Sequence, residues 1–193
     1  MIRIAEERDL CQILDIYAPY ILNTTYTFEY DVPTPEEFLH RFHSITAQFP
    51  WLVWEEDGQI LGYAYGSAPF ERAAYRWSCE TSVYVRPTAT GRGIGRALYT
   101  ALERLLALQG YLRNYVIITS ENSASLSFHE KLGYRLTARM PGIAFKFGKR
   151  LGIVWMEKDL NLSEIPIVFP DTWPFIRQDA QKFSNILDIL SLF

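Results

Sequence analysis

The chain has 193 residues, of which 49% are hydrophobic and 15% aromatic, and its formal net charge is -3. This length and composition predict one domain with a packed core and exclude a disordered chain. The scattered basic residues argue against a surface for nucleic acid or anionic membrane. Cys11 and Cys79 are too few for a disulfide framework, and with three histidines they give no tetrahedral metal spacing. We therefore expect a reducing compartment and no metal.

The N-terminal sequence MIRIAEERDL lacks the basic and apolar pattern of a signal peptide. No apolar run approaches the roughly 20 residues that a membrane span needs. These features predict a cytoplasmic protein with neither a membrane partner nor a nucleic-acid partner.

Hydrophobic periodicity gives the elements in chain order. Residues 2–4 form a short strand candidate, and residues 5–22 carry apolar side chains at helical spacing, with Pro19 expected to kink or shorten that helix. A second helix is predicted near residues 36–48, with Thr34 as its cap and Pro35 at its first position. The sequence Glu56-Asp57-Gly58 then predicts a hairpin between strands at 51–55 and 59–66.

The second half alternates strands and helices. A long strand is predicted at residues 75–85, a helix at 95–108 that ends at Gly110, a strand at 114–119 and a short helix that ends at Gly133. A closing strand pair follows at 134–147 and 152–158. The order βα(α)βββαβαββ predicts an α/β protein of the α+β type, in which a mixed sheet carries helices on both faces.

The composition changes after residue 160, so we expect one domain at residues 1–160 and a C-terminal extension at 161–193. Pro166, Pro170 and Pro174 interrupt the first part of the extension, and the apolar sequence FSNILDILSLF ends it. Two interpretations stay open: the extension packs on its own domain, or an apolar helix covers a dimer interface.

The most informative stretch is residues 79–98, CETSVYVRPTATGRGIGRAL. The strand SVYV ends at Pro87, and Gly91, Gly93 and Gly95 then lead directly into the predicted helix. Glycines let the backbone turn sharply so that its N–H groups face one centre, and a helix N-terminus favours an anion. The pattern predicts a phosphate cradle, although a tight connection without a ligand would also use glycines.

Two common phosphate motifs do not fit this turn. It lacks the Gly-Lys-Ser/Thr ending of a nucleoside triphosphate site. Gly93 and Gly95 are separated by one residue where the dinucleotide fingerprint has two, and residues 111–118 offer no acidic residue for a ribose.

The sequence resembles the GNAT acyltransferases, in their phosphinothricin and methionine sulfoximine N-acetyltransferase branch. The resemblance covers residues 2–160, and its segments are NTTYTFEYDVPT (23–34), FPWLVWEEDG (49–58), ILGYAYGSAPF (60–70), AYRW (74–77), ETSVYV (80–85) and NSASLSFHEKLGY (122–134). It implies the GNAT fold, with a central and mostly antiparallel sheet. It also names the ligand of the glycine turn as the pyrophosphate of acetyl-CoA, although Thr90 stands where the family usually has arginine or glutamine.

The resemblance assigns the cosubstrate contacts. In the family, the segment matching Val83, Tyr84 and Val85 pairs with the pantetheine arm and directs an N–H at the thioester carbonyl. The turn contributes Gly91, Arg92, Gly93, Ile94, Gly95 and Arg96. Asn122 matches the asparagine that binds the pantetheine, although asparagine at this position also predicts a helix cap, and Ser125 one turn later adds a contact.

Two residues are candidates for proton transfer. Glu80 lies on the strand beside the glycine turn, where a carboxylate can take the amine proton directly or through water, and it coincides with the family's general base. A surface glutamate on a strand is the alternative. Most of the family has tyrosine near the sulfur of CoA, and this branch tends to have histidine, here His129. An imidazolium near its ordinary pKa can protonate a thiolate, although a lone helical histidine more often packs or hydrogen-bonds.

The acceptor pocket is predicted from Tyr26, Phe28, Arg72 and Tyr75, which lie in segments that hold a small amino-acid-like substrate in the resembled branch, or which belong to the core. The branch commonly has a Trp-x-Asp pair where this chain has Arg150 and Gly152, a change that can alter the acceptor.

We expect an acetyl-CoA-dependent N-acetyltransferase, a homodimer, with a small-molecule amine as acceptor. The alternatives are a protein or peptide N-terminal acetyltransferase and a non-catalytic acyl-CoA sensor.

Overall fold

The structure is a computed structural model that describes residues 1–161 and 168–193. Within these ranges the chain forms seven strands and six α-helices. The strands are β1 (Ile2–Ile4), β2 (Trp51–Glu56), β3 (Gln59–Ser67), β4 (Ser78–Val85), β5 (Arg113–Thr119), β6 (Arg135–Lys146) and β7 (Lys149–Asp159). The helices are α1 (Leu10–Asn23), α2 (Pro35–Thr46), α3 (Ile94–Gln109), α4 (Ser123–Lys131), α5 (Trp173–Gln178) and α6 (Ala180–Ser191). The predicted order of elements is confirmed up to β7.

One mixed sheet holds the domain together, in the order β1-β2-β3-β4-β5-β7-β6. Only β4 and β5 pair in parallel, and the other neighbours are antiparallel. The predicted GNAT arrangement of a mostly antiparallel sheet is therefore confirmed. The parallel pair lies at the centre of the sheet, and it needs the α3 crossover because two parallel strands cannot be joined by a tight turn.

Helices cover both faces of this sheet. On one face, α1 and α2 pack through residues such as Ile13 and Phe38 against Trp51 and Tyr63. On the other face, α3 packs its buried leucines on the opposite sides of β2 and β3. Successive side chains of a strand point to opposite faces of the sheet, so apolar residues at alternate positions build a core on each face.

Two helix starts show how local chemistry sets the boundaries. Thr34 caps α2 as predicted, because its hydroxyl accepts the amide of Glu37 and the Glu37 carboxylate accepts the amide of Thr34. The prediction for α1 was wrong at its start: a short 3₁₀ turn occupies Glu7–Asp9, and the α-helix begins at Leu10. The Asp9 carboxylate binds the Arg3 guanidinium and the amide of Glu6, and these bonds fix the turn.

Of the kink or shortening predicted at Pro19, the shortening is wrong, because α1 continues to Asn23. The third long strand begins at Ser78 rather than residue 75, because Ala73–Tyr75 forms a 3₁₀ turn.

The part of the extension that the structure describes packs against the domain. Trp173, Ile176 and Ile186 are buried in the same core cluster as Leu102 and Leu106 of α3. Of the three predicted interrupting prolines, Pro174 lies in the first turn of α5, and Pro166 lies outside the described residues. Across the described ranges, we find no helix whose length and apolar character would let it cross a membrane.

Candidate active site

The centre of the candidate site is a gap between β4 and β5. The two strands pair in register at Ser78 with Arg113, and the last registered pair is Glu80 with Tyr115. Beyond that pair β4 stays bonded to β3 while β5 stays bonded to β7. The gap that results is lined by both strands and by α4, and it opens toward the glycine turn.

The glycine turn forms the mouth of this gap. Gly91 and Gly93 have φ of +79° and +81°, a region that suits glycine, and Gly93 is the N-cap of α3. A Cβ at either position would meet no atom within 4 Å, so the backbone at the turn is open to a ligand. Unpaired N–H groups and the helix dipole at this end of α3 favour an anion such as a phosphate.

A cavity of about 440 Å³ runs from the turn to the gap. Most of the predicted cosubstrate contacts lie on its wall: Val83, Val85, Gly91, Gly93, Ile94, Gly95, Arg96, Asn122 and Ser125. Thr90, the departure from the family pattern, also lies on the wall, and its hydroxyl donates to the carbonyl of Pro87. Residues from β4, from the turn and from α4 thus meet at one cleft.

Two predicted cosubstrate residues have side chains directed elsewhere. The Arg92 guanidinium donates to the Glu56 carboxylate at 2.7 and 2.9 Å, which holds it against the β2–β3 hairpin. The Tyr84 ring stacks on Tyr63 with a centroid distance of 5.3 Å and meets Tyr17 edge-on at 4.9 Å. The side chain of Arg92 is therefore held away from the cleft, and the Tyr84 ring belongs to the aromatic core under α1, although Tyr84 also borders the gap.

The edge of β4 that faces the gap has no strand paired to it beyond Glu80. The amide of Arg86 donates to Leu61 on the β3 side. Because backbone groups alternate sides along a strand, the amides of Val83 and Val85 point to the other edge. The Val85 carbonyl on that edge accepts the Tyr20 hydroxyl at 2.6 Å. An extended chain entering the gap can pair with this edge as an added strand.

The first turn of α4 forms the opposite wall. The Asn122 side chain accepts the amide of Ser125 at 3.0 Å, so Asn122 is the N-cap of α4. Asn122 and Ser125 also line both the cleft and the gap. Asn122 therefore caps α4 and also lies where it can contact a ligand in the cleft.

Glu80 lies half-buried at the point where the gap begins. Its partners across the sheet are Ser67 in β3 and Tyr115 in β5. Burial raises the pKa of the Glu80 carboxyl from 4.5 to about 7, because a buried carboxylate loses its hydration. A carboxyl with such a pKa is a suitable proton acceptor near neutral pH.

Of the two interpretations of His129, an acid or a packed and hydrogen-bonded residue, its surroundings favour the second. Burial lowers the pKa of its imidazole to about 4, so the ring is neutral at pH 7. Its Nδ1 lies 2.8 Å from the carbonyl of Ser125, which can only accept, so Nδ1 carries the proton. Its Nε2 accepts the Tyr99 hydroxyl at 3.1 Å. His129 borders the gap, and both of its nitrogens are engaged within the protein.

The four residues predicted for the acceptor pocket lie in different places. Tyr26 lines the gap and the cosubstrate cleft, whereas Phe28 lines a separate open groove with Arg41. Tyr75 borders a third cavity, and Arg72 is exposed at the start of the Ala73–Tyr75 turn. The chain therefore does not bring all four into one pocket.

Several residues at the site were missed by sequence reasoning. Tyr20 and Phe128 line the cleft from helices, where their spacing marks them only as apolar face residues. An aromatic row also runs beside Glu80: Tyr115 meets Trp155 edge-on at 6.0 Å, and Trp155 stacks on Phe70 at 5.7 Å. These contacts join β5, β7 and the loop after β3, so no local pattern could reveal them.

Comparison with known proteins identifies the family. The model of the acetyltransferase (GNAT) domain matches residues 2–155. The chain is 35% identical over 167 residues to a phosphinothricin N-acetyltransferase of Alcaligenes faecalis, with 84% of each chain covered. It is 32% identical to the L-methionine sulfoximine/L-methionine sulfone acetyltransferase of Salmonella typhimurium, over 86% of this chain and 97% of that protein.

A solved structure agrees with the sequence relatives. The crystal structure of a GNAT superfamily phosphinothricin acetyltransferase from Sinorhizobium meliloti, in complex with AcCoA, superposes with a TM-score of 0.82 and 34% identity. The match covers 90% of this chain and 95% of that chain. With its gap between β4 and β5 and its glycine turn at the start of α3, the chain belongs to the GNAT acetyltransferase family.

Proposed function

We propose that this chain transfers the acetyl group of acetyl-CoA directly to the amine of a small amino-acid-like substrate of the phosphinothricin or methionine sulfoximine type. One observation carries this proposal. A half-buried glutamate with a pKa near 7 lies where the β4–β5 gap begins, and the gap leads to an open glycine turn at a helix N-terminus. The relatives with these two acceptors support the choice of substrate.

The residues of the cleft fit acetyl-CoA. Gly91 and Gly93 leave space beside the α3 N-terminus for a pyrophosphate, and Arg96 lies on the same wall. The amides of Val83 and Val85 offer strand-like pairing to an extended arm, and Asn122 faces them from α4. When bound, acetyl-CoA supplies a thioester, whose carbonyl carbon is the electrophile.

Glu80 is the general base of the proposed reaction. The attacking amine must lose a proton, and the Glu80 carboxylate accepts it directly or through one water. A proton acceptor of pKa about 7 is half ionised at neutral pH, whereas an ordinary glutamate is ionised but a weaker base. Burial thus makes Glu80 a stronger base near neutral pH.

His129 has a different role from the one its motif implies. The ring is neutral and donates from Nδ1 to the carbonyl of Ser125, so it holds the first turn of α4 in place. The proton for the departing thiol then comes from solvent, since a free thiol has a pKa of about 8.5 and its thiolate is readily protonated near neutral pH.

The acceptor approaches from the face that carries Glu80. Among the predicted pocket residues, Tyr26 lies on the gap and Tyr75 lies beside the Phe70 and Trp155 row. We assign recognition of a carboxylate on the acceptor to the exposed Arg72, and an apolar wall to Phe28. Arg150, at the position of the family's tryptophan, donates to the carbonyl of Gly142, which lies in the irregular part of the β6–β7 ladder between Met140 and Ala144.

The proposal includes a cytoplasmic homodimer. Strand β6 is an edge of the sheet, and it exposes large apolar side chains to solvent: Leu136, Met140, Ile143 and Phe145. An exposed apolar edge strand is a surface that soluble proteins normally cover. A second copy of this chain, related by a two-fold axis, would cover it.

Thiol release from acetyl-CoA tests the function directly. The purified chain is assayed with phosphinothricin, methionine sulfoximine, a panel of amino acids and short peptides, beside the Glu80→Gln variant. Release with a small amino acid that collapses in the variant supports the proposal. Turnover of peptides alone indicates a protein N-terminal acetyltransferase, and tight CoA binding without release indicates a sensor.

A further inference from the structure

The cavity that Tyr75 borders has a volume of about 570 Å³ and lies at the end of β4 away from the glycine turn. Phe70 and Tyr75 border it from the loop after β3, and Ser78 borders it from β4. Its third side is formed by the C-terminal extension, through Phe169, Pro170 and Thr172. Its size is in the range of small-molecule sites, and much of its wall is aromatic.

The cavity lies beside the proposed base. Ser78 precedes Glu80 by two residues on β4, so both side chains are on the same face and about 7 Å apart along the strand. Ala68 on the cavity wall follows Ser67, the registered partner of Glu80 in β3. Glu80 itself does not line the cavity, but its side chain is only one strand repeat from Ser78 on the wall, a distance that the side chain of an acceptor can span.

The wall from the extension is held in a fixed position. The Phe169 ring stacks on Trp77 with a centroid distance of 4.7 Å, and the Arg76 guanidinium lies 5.3 Å from the centre of the Phe169 ring. The Trp77 indole donates to the carbonyl of Val168 at 2.9 Å. The amide of Asp171 donates to the carbonyl of Gln109 at 2.8 Å, which ties the segment to the end of α3.

These residues lie outside the family core. The match to the GNAT model ends at residue 155, whereas the wall consists of residues 169, 170 and 172. The same segment fixes Arg76 and Trp77, which follow the loop that carries Tyr75. The extension thus forms one wall of this cavity and also holds Arg76 and Trp77 in place beside it.

We propose that the segment 169–172 forms one wall of the acceptor pocket and gives it a preference for amino acids with a large apolar side chain, such as L-phenylalanine or L-methionine. The inference rests on the proposed function, because it takes the amine at Glu80 as the reacting group. The side chain of such an acceptor lies between Phe70 and Phe169, and small acceptors such as glycine do not reach the wall.

The test compares Phe169→Ala with Val168→Ala in the full chain. Val168 is 75% exposed, and its substitution keeps the carbonyl that binds Trp77, so it is a matched control. For L-phenylalanine and L-methionine we expect kcat/KM of Phe169→Ala to fall about tenfold through KM. The values for glycine and the KM for acetyl-CoA stay unchanged, and Val168→Ala behaves as the wild type.

An equal loss for all acceptors, glycine included, would overturn the inference, since it would mean that Phe169 only supports the loop. No change in any acceptor would overturn it too. Phe169→Leu, which keeps an apolar side chain and guards against a folding defect, is expected to recover part of the loss, and each variant's melting temperature is measured beside its kinetics.

A binding measurement separates this inference from the proposed function. Calorimetry with CoA present measures the affinity of the wild type and of Phe169→Ala for L-phenylalanine without any turnover. Weaker binding of L-phenylalanine to the variant supports the proposal that Phe169 forms a wall of the pocket, even if the wild type releases no thiol. In that outcome only the proposed function fails. If the wild type does not bind L-phenylalanine, the inference itself is wrong.

Discussion

Glu80 on β4 and Tyr115 on β5 form the last registered pair before these strands separate. The proposed base is therefore placed where the sheet opens, with intact sheet on one side and the β4–β5 gap on the other. This position explains how Glu80 can be buried enough for its pKa to rise and still lie near a reacting amine.

Removal of the base gives the first prediction. Glu80→Gln keeps the shape of the side chain but cannot accept a proton, so we expect kcat to fall by about 10²- to 10⁴-fold. The measurement is thiol release at pH 7.5 with saturating acetyl-CoA. Glu36→Gln, an exposed position in the first turn of α2, is the control and is expected to keep full activity. Retention of more than a tenth of the activity in Glu80→Gln would exclude Glu80 as the base.

The pH dependence follows from the same residue. Its carboxylate, rather than its acid form, accepts the proton, so activity is lost as the pH falls through the Glu80 pKa of about 7. Below that value kcat/KM is expected to fall about tenfold per pH unit. The acceptor amine ionises at higher pH and adds a second pH-dependent region to the kcat/KM profile. The Glu80→Gln variant is expected to keep this second region. If the fall of kcat/KM near pH 7 persists in Glu80→Gln, that fall belongs to another ionisable group.

The protonation state of His129 is a separate prediction. Because its pKa is lowered to about 4, the ring stays neutral with the proton on Nδ1 from pH 6 to 8. Nitrogen-15 NMR of histidine-labelled protein measures this state directly. His129→Gln is expected to leave the shape of the kcat/KM profile between pH 6 and 9 unchanged. The disappearance of an alkaline limb in that variant would restore His129 as the general acid.

The glycine turn can be tested with a matched pair of substitutions. Gly93 and Gly58 both have positive φ, and a Cβ at either position meets no atom within 4 Å. Alanine at either site should therefore cost a similar strain of about 1–2 kcal/mol in the free energy of unfolding. Only Gly93→Ala is expected to raise the KM for acetyl-CoA, by about tenfold, because Gly58 lies in the β2–β3 turn. Equal KM values for the two variants would argue against a phosphate cradle at Gly93.

Asn122 allows capping and ligand binding to be separated. Asn122→Ala and Thr34→Ala each remove an N-cap and should lower the free energy of unfolding by about 1 kcal/mol. Denaturant titration measures this loss. An increase of the KM for acetyl-CoA is expected for Asn122→Ala alone, because α2 is remote from the cleft. If both variants keep the wild-type KM, Asn122 is only a cap.

The fold and the residues that line most of the cleft could be predicted from the sequence, because the turns, caps and strands that place them depend on local patterns. The hairpin at Asp57-Gly58, the cap at Thr34 and the turn at Gly93 each depend on backbone preferences of a few neighbouring residues. The resemblance over residues 2–160 supplied the chemistry of the turn, and the family match confirms the membership that it implied.

Tertiary packing decided what the sequence left open. The residue type of His129 suggests an acid, but its neutral state depends on burial and on Ser125 and Tyr99, which lie on two different helices. The sequence shows a carboxyl at Glu80, whereas its raised pKa follows from the surroundings that remove water from it. The placing of Phe169 beside Trp77 joins residues 92 positions apart, and only the folded chain brings them together. Protonation and pocket shape are set by such long-range neighbours, while turns, caps and strands are set by adjacent residues.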